Sequence, residues 1–518
     1  MKKLLFTFLF LLSCILVHAQ QQTYSRVLYL PGNSAQASAM IKTLDGNYAV
    51  AGYMMSWMNT GGLAMKIDSI GNQIWVKNIG NSSERFNSIV QTQDSCFFLS
   101  GDDGINLIVE KLNNNGDTIW NRNITFPGNH IISGRASLTY DQGLLLTGQI
   151  SNNSNTSNRM YIVRIDSSGN VQWANQLSVS GFFETRGTSV KQMPDSGYII
   201  AGRVYSTASP GYYHAIFIRF TRTDSVVWVK EVWNPANTYN QGVDVAINHN
   251  SLAFLMVSNQ LSSLIKTDFD FNIIWTYKYQ NLYLSSQGGY WENFGCPKIY
   301  STKDFGYAVV GTEWAGKYIE TDSLGIQIEA KTLWMQACDI VQTGDSALFA
   351  IGNGPLMGVK YPTTDPQIGL LRIFPKGNNT LCDNQENLTT TTITPSISTP
   401  AFNKTNLSFT VAPYQPVVTS PTFIVDTNCV AMTGAIHENQ NIKEIEIYPN
   451  PAESFVSLIF PETECATEIY VFNSLGNLIF KTGIQKYENA VSIDVRALPA
   501  GMYFVKMNNY SGKFVKQN

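Results

Sequence analysis

The sequence is poor in charge. Asp, Glu, Lys and Arg make up 14% of its 518 residues, where about 25% is usual for soluble chains. The formal net charge is −3, with no basic run. Nucleic acid and anionic membrane surfaces both need a concentrated positive footprint, so neither is an expected partner. Histidine is scarce, and His130, His214, His249 and His437 stand in no HExxH, nucleophile-elbow or triad context. No GxGxxG follows a strand and no phosphate loop is present, so nucleotide chemistry lacks its cradle. Cys-x-x-Cys and mixed Cys/His spacings are also lacking, and neither a metal nor a cofactor is expected. What the chain has instead is aromatic mass, 27 Phe, 25 Tyr and 10 Trp, enough for a large core.

Long apolar runs are confined to the start. Residues 1–19 place Lys2-Lys3 before an apolar stretch and end on Val17-His18-Ala19, the pattern of a secretory signal peptide and too short to span a membrane. Leu11-Leu12-Ser13-Cys14 offers a lipobox, but the apolar stretch continues past Cys14. The expected location is therefore outside the cell, reached through the periplasm, with no transmembrane segment. Export permits disulfides. Of the cysteines beyond the leader, Cys382 and Cys429 flank a segment with little other framework and form the candidate bridge.

Residues 22–378 repeat. Asp45-Gly46-Asn47-Tyr48-Ala49-Val50-Ala51-Gly52 is echoed at Asp94–Gly101, Asp141–Gly148, Asp195–Gly202, Asp304–Gly311 and Asp345–Gly352. A degenerate copy starts at Asn250, with Val257 in the glycine place. A second hairpin follows each glycine and carries a tryptophan: Trp75, Trp120, Trp173, Trp228, Trp275, with Glu329 in the sixth copy. Each copy reads as four short strands, A to D, at the spacing of a β-propeller blade. The seventh copy lacks strand D, while Tyr24 to Leu30 matches Gln73 to Ile79. The fold expected is all-β: a seven-bladed β-propeller closed by the N-terminal strand, followed by a spacer and a small β-sandwich. The repeat resembles the Asp-Gly-containing propeller repeats of secreted bacterial proteins, and its tryptophan resembles the docking tryptophan of quinoprotein-type propellers.

The A–B and C–D turns are tight, whereas the B–C and D–A connections vary and share the opposite face. Aromatics concentrate there. Trp57, Tyr205, Tyr212, Tyr213 and Trp314 lie in or beside B–C loops, and Trp233, Tyr239, Tyr290 and Trp291 in or beside D–A connections. Such side chains give rigid contact area at low entropic cost and stack on sugar faces, so they are the candidate ligand-binding set. Arg135, Asp244, Lys298 and Asp339, near the starts of A strands, are expected at the channel mouth.

No catalytic residues stand out, and the protein is not expected to be an enzyme. Sialidase-type Asp-boxes need Ser-x-Asp-x-Gly-x-x-Trp, but Asp68, Gly71 and Trp75 have different gaps. The alternative is a surface polysaccharide hydrolase or lyase with carboxylates converging from different blades at the propeller mouth. Asp68-Ser69-Ile70 and similar triplets resemble the acceptor of Bacteroidetes O-glycosylation, although turn chemistry alone explains them.

Residues 379–441 are Thr/Pro-rich and read as a spacer. Strand alternation resumes over 442–518. There Tyr448-Pro449-Asn450-Pro451, Asn473-Ser474-Leu475-Gly476, Leu498-Pro499-Ala500-Gly501-Met502-Tyr503 and Lys513-Phe514-Val515-Lys516 resemble the type A C-terminal sorting domain of Bacteroidetes type IX secretion cargo. The resemblance implies recognition by the outer-membrane secretion machinery, with Tyr448, Pro449, Asn450, Pro451, Gly501, Tyr503, Lys513 and Lys516 as its motif residues. The function expected is that of a secreted or cell-surface binding or scaffold protein, meeting glycan or another surface protein through its B–C/D–A loop face.

Overall fold

The turns set the hairpins of the repeat. In the first copy the Thr43 hydroxyl donates to Asp45 Oδ1 (2.5 Å), and Lys66 Nζ from the third strand reaches Asp45 Oδ2 (2.6 Å). The residue after the aspartate takes a left-handed backbone. Gly46 does so at φ 83°, but Ser95, Gln142, Ser196 and Phe305 occupy the same place at 63–65°, at a cost of about 1 kcal/mol or more each. The second turn is closed by its own carboxylate: Asp68 Oδ1 accepts from Ile70 N (3.0 Å) and Asn72 N (2.8 Å).

The computed structural model describes residues 21–517 apart from 31–32, 56–59, 81–82, 153, 155–157, 208–210, 259–260, 280–296, 313–315, 334, 344–346, 354–366, 374–382, 386–389, 413–415, 417, 422, 434–442, 460–466, 474–477, 485–489 and 508–509. The candidate residues Trp57, Tyr290, Trp291, Trp314 and Cys382 lie outside the described residues, as does the leader. The described elements are all strands, and no helix is long and apolar enough to cross a membrane. The contacts divide the chain into two bodies, Met1–Thr433 and Gly434–Asn518.

The first body is built of antiparallel units, each with strands in the order A-B-C-D. The first pairs Ser34–Lys42, Tyr48–Met55, Thr60–Ile67 and Gln73–Ile79; the second, Arg85–Gln91, Phe97–Asp102, Asn106–Leu112 and Thr118–Thr125. The third has a split inner strand, Asn129–Ser133 and Ser137–Leu138, then Leu144–Asn152, Asn158–Ile165 and Val171–Val179. The fourth comprises Glu184–Gln192, Tyr198–Ser206, Tyr212–Phe220 and Val226–Trp233; the fifth, Asn240–Asn248, Ser251–Ser258, Leu261–Thr267 and Ile273–Tyr279. The sixth comprises Lys298–Ser301, Tyr307–Thr312, Gly316–Thr321 and Gln327–Leu333. Gln336–Gln342, Leu348–Asn353 and Ile368–Ile373 form the seventh, whose fourth strand is Gln21–Tyr29, with Leu28 opposite Ile368 and Tyr24 opposite Arg372.

Inner strands carry one extra residue at a common place: Ser38, Asn87, Thr188, Val243 and Cys338 each sit at a break of register. The repeat glycine faces this bulge. A Cβ on Gly52 would lie 1.9 Å from Gln36 O, and one on Gly202 would lie 2.1 Å from Arg186 O, so only glycine lets the strands close there. In the degenerate fifth unit the tight place falls on Gly242 of the inner strand, whose Cβ would meet Phe217 and Gly202 O. Extra residues also bond forward to the next unit: Asn87 Nδ2 donates to Ser133 Oγ (2.7 Å), Thr188 Oγ1 to Gly242 O (2.8 Å) and Cys338 Sγ to Ala37 O (3.1 Å).

Between consecutive units lie the buried clusters. One joins Ala49 and Ala64 to Phe97 and Leu99; another joins Phe349, Ile351 and Leu370 of the seventh unit to Met40, Val50 and Met65 of the first. The tryptophans bind the next unit's C–D turn. Trp75 Nε1 donates to Asn114 O (3.0 Å) and Trp228 Nε1 to Phe269 O (3.0 Å). A Cβ on Gly116 would approach the Trp75 ring to 2.8 Å. In the N-terminal strand Arg26 takes the tryptophan's place and donates from Nη1 to Asn72 Oδ1 (2.9 Å) of the first unit.

The Thr/Pro-rich stretch expected as a spacer supplies a fifth, outermost strand to these units. After the seventh unit the chain doubles back. Asp383–Gln385 pairs with the sixth unit, Thr390–Thr392 with the fifth, Ser396–Ser398 with the fourth and Phe402–Asn406 with the third. Thr410–Ala412 then pairs with the second, Val418–Thr419 with the first, and Ile424–Thr433 with the N-terminal strand. Each outer strand D otherwise presents a row of unpaired backbone groups, and this strap satisfies part of it. Pro395, Pro400 and Pro421 fall between strap strands, where a missing N–H costs nothing. Phe423 is buried in the cluster between the seventh and first units, and Phe402 packs edge-on against Phe220 (6.3 Å).

The second body is a small sandwich. One sheet orders Lys443–Glu444, Tyr510–Lys516, Gly501–Met507, Thr467–Asn473 and Leu478–Ile484; the other orders Glu446–Tyr448, Phe455–Ile459 and Ala490–Asp494. The first of these pairings is parallel. Val456, Leu458, Ile469, Val471, Tyr503, Val505 and Phe514 make its core.

Two outcomes are expected. Glu110 is fully buried where the other copies have Met65, Val163, Ile218, Ile265 and Ile319; the Thr118 hydroxyl reaches Oε1 (2.6 Å), and Oε2 has no partner among the described residues. Burial pushes its carboxyl up to about 7 from 4.5. A carboxyl raised in the folded state loses stability as pH rises from about 4.5 through 7. Glu110→Gln should thus match the wild type near pH 5 and exceed it at pH 8 by up to about 3 kcal/mol, read by urea unfolding at both pH values. A chain ending at residue 381 should melt roughly 10 °C below one ending at residue 433 and self-associate through its uncovered edges, as calorimetry and light scattering would report.

Candidate functional site

The fourth unit gathers five of the expected aromatics on its loop end. Tyr205 and Tyr213 face each other across strands B and C and stack at 4.4 Å. Tyr239, from the connection to the fifth unit, closes on Tyr213 at 4.9 Å, and Tyr213 N donates to Thr238 O (2.8 Å). Beneath them Arg203 lies 5.1 Å from the Tyr213 ring centre and is held by Glu184 through Nε (2.8 Å). The Tyr239 hydroxyl donates to Gln241 Oε1 (2.8 Å). Burial pushes the Tyr213 phenol above its ordinary range, against the pull of Arg203.

On the other side of the same sheet a second stack forms. His214 lies parallel to Trp233 at 4.6 Å, Tyr212 covers His214 at 4.5 Å, and Phe182 meets Tyr212 edge-on at 6.2 Å. His214 Nδ1 is 2.5 Å from Glu231 Oε1, whose other oxygen accepts from Ser398 of the strap (2.5 Å). Burial alone would raise Glu231, but the bonds from His214 and Ser398 leave its carboxyl below the ordinary range. The aromatics are half-buried and braced by one another. Arg203, Glu184 and Glu231 were not singled out by sequence reasoning; their only signal is alternation with the tyrosines, as in Arg203-Val204-Tyr205.

Arg135, Asp244, Lys298 and Asp339 come together in the centre of the first body. Asp244 and Asp339 are 0% exposed and Arg135 8%, so they form a closed cluster. Arg135 extends from the split in the third inner strand to Asp244 (3.7 Å), to Pro297 O (3.0 Å) and to Cys338 O (3.4 Å). Lys298 Nζ meets Asp339 Oδ2 at 2.6 Å, and Ser189 Oγ donates to Asp244 Oδ1 (2.6 Å). Burial would raise the Asp244 carboxyl, but Lys191, Arg135 and Lys298 together hold it below the ordinary range. Burial drives the nearby Cys338 thiol up to about 12. Among the described residues no group of three or more His, Cys, Asp or Glu is placed to hold a metal ion.

In the second body Asn450 clasps the last strand: its Nδ2 donates to Lys513 O (3.0 Å) and its Oδ1 accepts from Val515 N (2.9 Å). The Tyr503 hydroxyl donates to Pro499 O (2.8 Å). Lys516 is buried, whereas Gly501 and Lys513 are exposed, and Tyr448, beside Pro449 and Pro451, is 65% exposed. Met502 and Val515 are register partners, and with Phe504 they leave an apolar strip facing outward.

Residues 446–517 match the family model of the secretion system C-terminal sorting domain. Over 71 residues the chain is 30% identical to beta-agarase A of Zobellia galactanivorans, which covers 14% of this chain and 13% of that protein. Solved structures with a likeness include a protein of unknown function from Bacteroides caccae (10% identity, 60% of this chain, 94% of that one, TM-score 0.35). Others are the Dos1 propeller (11%, 66% and 78%, TM-score 0.40) and Sqt1 of Chaetomium thermophilum (11%, 69% and 99%, TM-score 0.41). The chain ends in a secretion sorting tail, which marks it as exported cargo destined for the cell surface or the medium.

Proposed function

We propose that this is a secreted or cell-surface binding and scaffold protein, exported by the type IX route after removal of residues 1–19. Its units close into a seven-bladed β-propeller through the N-terminal strand, and it binds glycan or a surface protein with its B–C/D–A loop face. One observation carries the reading: the Tyr205–Tyr213–Tyr239 ladder is half-exposed yet fixed by Arg203 and Glu184. Rigid aromatic faces lose little entropy on contact and suit the flat faces of sugars or apolar loops of a partner. Sequence places Trp291 and Trp314 on the same loop face. The sorting tail supports the route, and its outward strip of Met502, Phe504 and Val515 offers the secretion machinery an apolar contact.

Binding is tested by a glycan array and surface pull-down comparing wild type with Tyr213→Ala and Trp291→Ala. Loss of about 1–2 kcal/mol, or roughly tenfold in affinity, is expected for each. Unaltered binding in both variants would sink the proposed face. Deleting residues 442–518 should leave the protein in the periplasm, as fractionation and immunoblotting would show; normal surface display of the truncated chain would refute the sorting route.

A further inference from the structure

The inner strands border an open cavity of about 550 Å³ in the middle of the first body, lined among others by Lys42 of the first unit, Lys191 of the fourth, and Lys298, Tyr300 and Ser301 of the sixth. Among the described residues no Asp or Glu lines it. This lies within the range of roughly 300–1,000 Å³ that small-molecule sites occupy. It sits toward the A–B-turn end of the inner strands, where Lys42 and Gln192 lie, away from Tyr205 and Tyr213. Its occupant is thus a separate question from the aromatic face.

The charges beside it do not balance. Among the described residues Arg135, Lys191 and Lys298 face Asp244 and Asp339, and these are the groups that act on Lys191 from the third, fifth, sixth and seventh units. Both carboxylates are already engaged. Asp339 accepts from Lys298, Met40 N and Ile340 N, and Asp244 from Ser189 and Ile299 N while pairing with Arg135. Lys191 makes no hydrogen bond or ion pair among the described residues. It stands 55 residues before Ala246 in the sequence yet lines the same cavity, and a half-buried cation with no protein partner favours an anion that joins it.

We propose that this cavity binds a small organic anion of monosaccharide size, a sugar bearing a carboxylate or a sulfate group, with that group paired to Lys191 between Lys42 and Lys298. Lys191 and Lys298 come from different units on the cavity wall, the exposed Lys42 stands at its edge, and Tyr300 and Ser301 bring hydroxyls to the lining. Neutral sugars lack the charge that the cavity is missing.

The test uses the full mature chain and thermal unfolding with sodium glucuronate and glucose 6-sulfate, against glucose and sodium chloride at matched ionic strength. A saturable rise in Tm with one or both anions, and none with the two controls, is expected; which anion acts tells carboxylate from sulfate. Lys191→Met should weaken the response about tenfold or more, Lys191→Arg should retain most of it, and Tyr213→Ala should leave it unchanged. The proposal is overturned if neither anion gives a saturable rise in the wild type, or if Lys191→Met responds as the wild type does. Should Lys191→Met not fold, the wild-type comparison decides alone.

Discussion

One steric constraint governs most of the first body: where an inner strand has one residue too many, one of the two residues that meet there must lack a Cβ. The Cβ that Gly52 or Gly202 lacks would overlap a main-chain oxygen, so the repeat glycine makes room for the bulge, and in the fifth unit Gly242 of the inner strand does so instead. A bulge flips which side chains point inward. After it come Ser189, Asp244 and Asp339, which thereby enter the centre instead of the sheet interface. The third unit breaks its inner strand altogether, and Arg135 crosses to the fifth, sixth and seventh units. The polar centre is thus a product of backbone geometry, and its ion pairs link strands whose apolar residues are already committed to the clusters between units.

At the rim the problem is the reverse. Outer strands have hydrogen-bonding groups to spare, and isolated four-stranded sheets would offer them to any passing chain. Two devices cover the rim. Tryptophans such as Trp75 and Trp228 hold their outer strands to the next unit's turn, and the strap adds pairing from the sixth unit back round to the first. The strap also brings specific anchors, such as Lys404 Nζ on Asp224 Oδ2 (2.6 Å) and Phe423 N on Gln73 Oε1 (2.9 Å).

Much of this was legible in the residues. Spacing of Asp, Gly and Trp delimits the units, and the likeness of Tyr24–Leu30 to Gln73–Ile79 places the first strand on the seventh unit, where it pairs with Ile368–Ile373. Loop aromatics were visible as residue types, but the stacking of Tyr205 on Tyr213 depends on strand register, which no single residue announces. The strap was hidden because its strands are mostly two to five residues long, too short for alternation to show, while the prolines between them suggest an unstructured spacer. Lys191 was hidden for another reason. In Val190-Lys191-Gln192 it looks like the end of the other inner strands, such as Ile41-Lys42, and only the fold sets it beside Asp244 and Lys298. Charge balance across five units is a property of three-dimensional proximity, not of local composition.

The pairing of Gln21–Tyr29 with Ile424–Thr433 has a mechanical reading. Gln21 stands opposite Thr433, so the first described residue of this body and its last one leave from the same point on the rim. Because the two strands share one antiparallel ladder, peeling the last strand from the rim bares the backbone edge of the first.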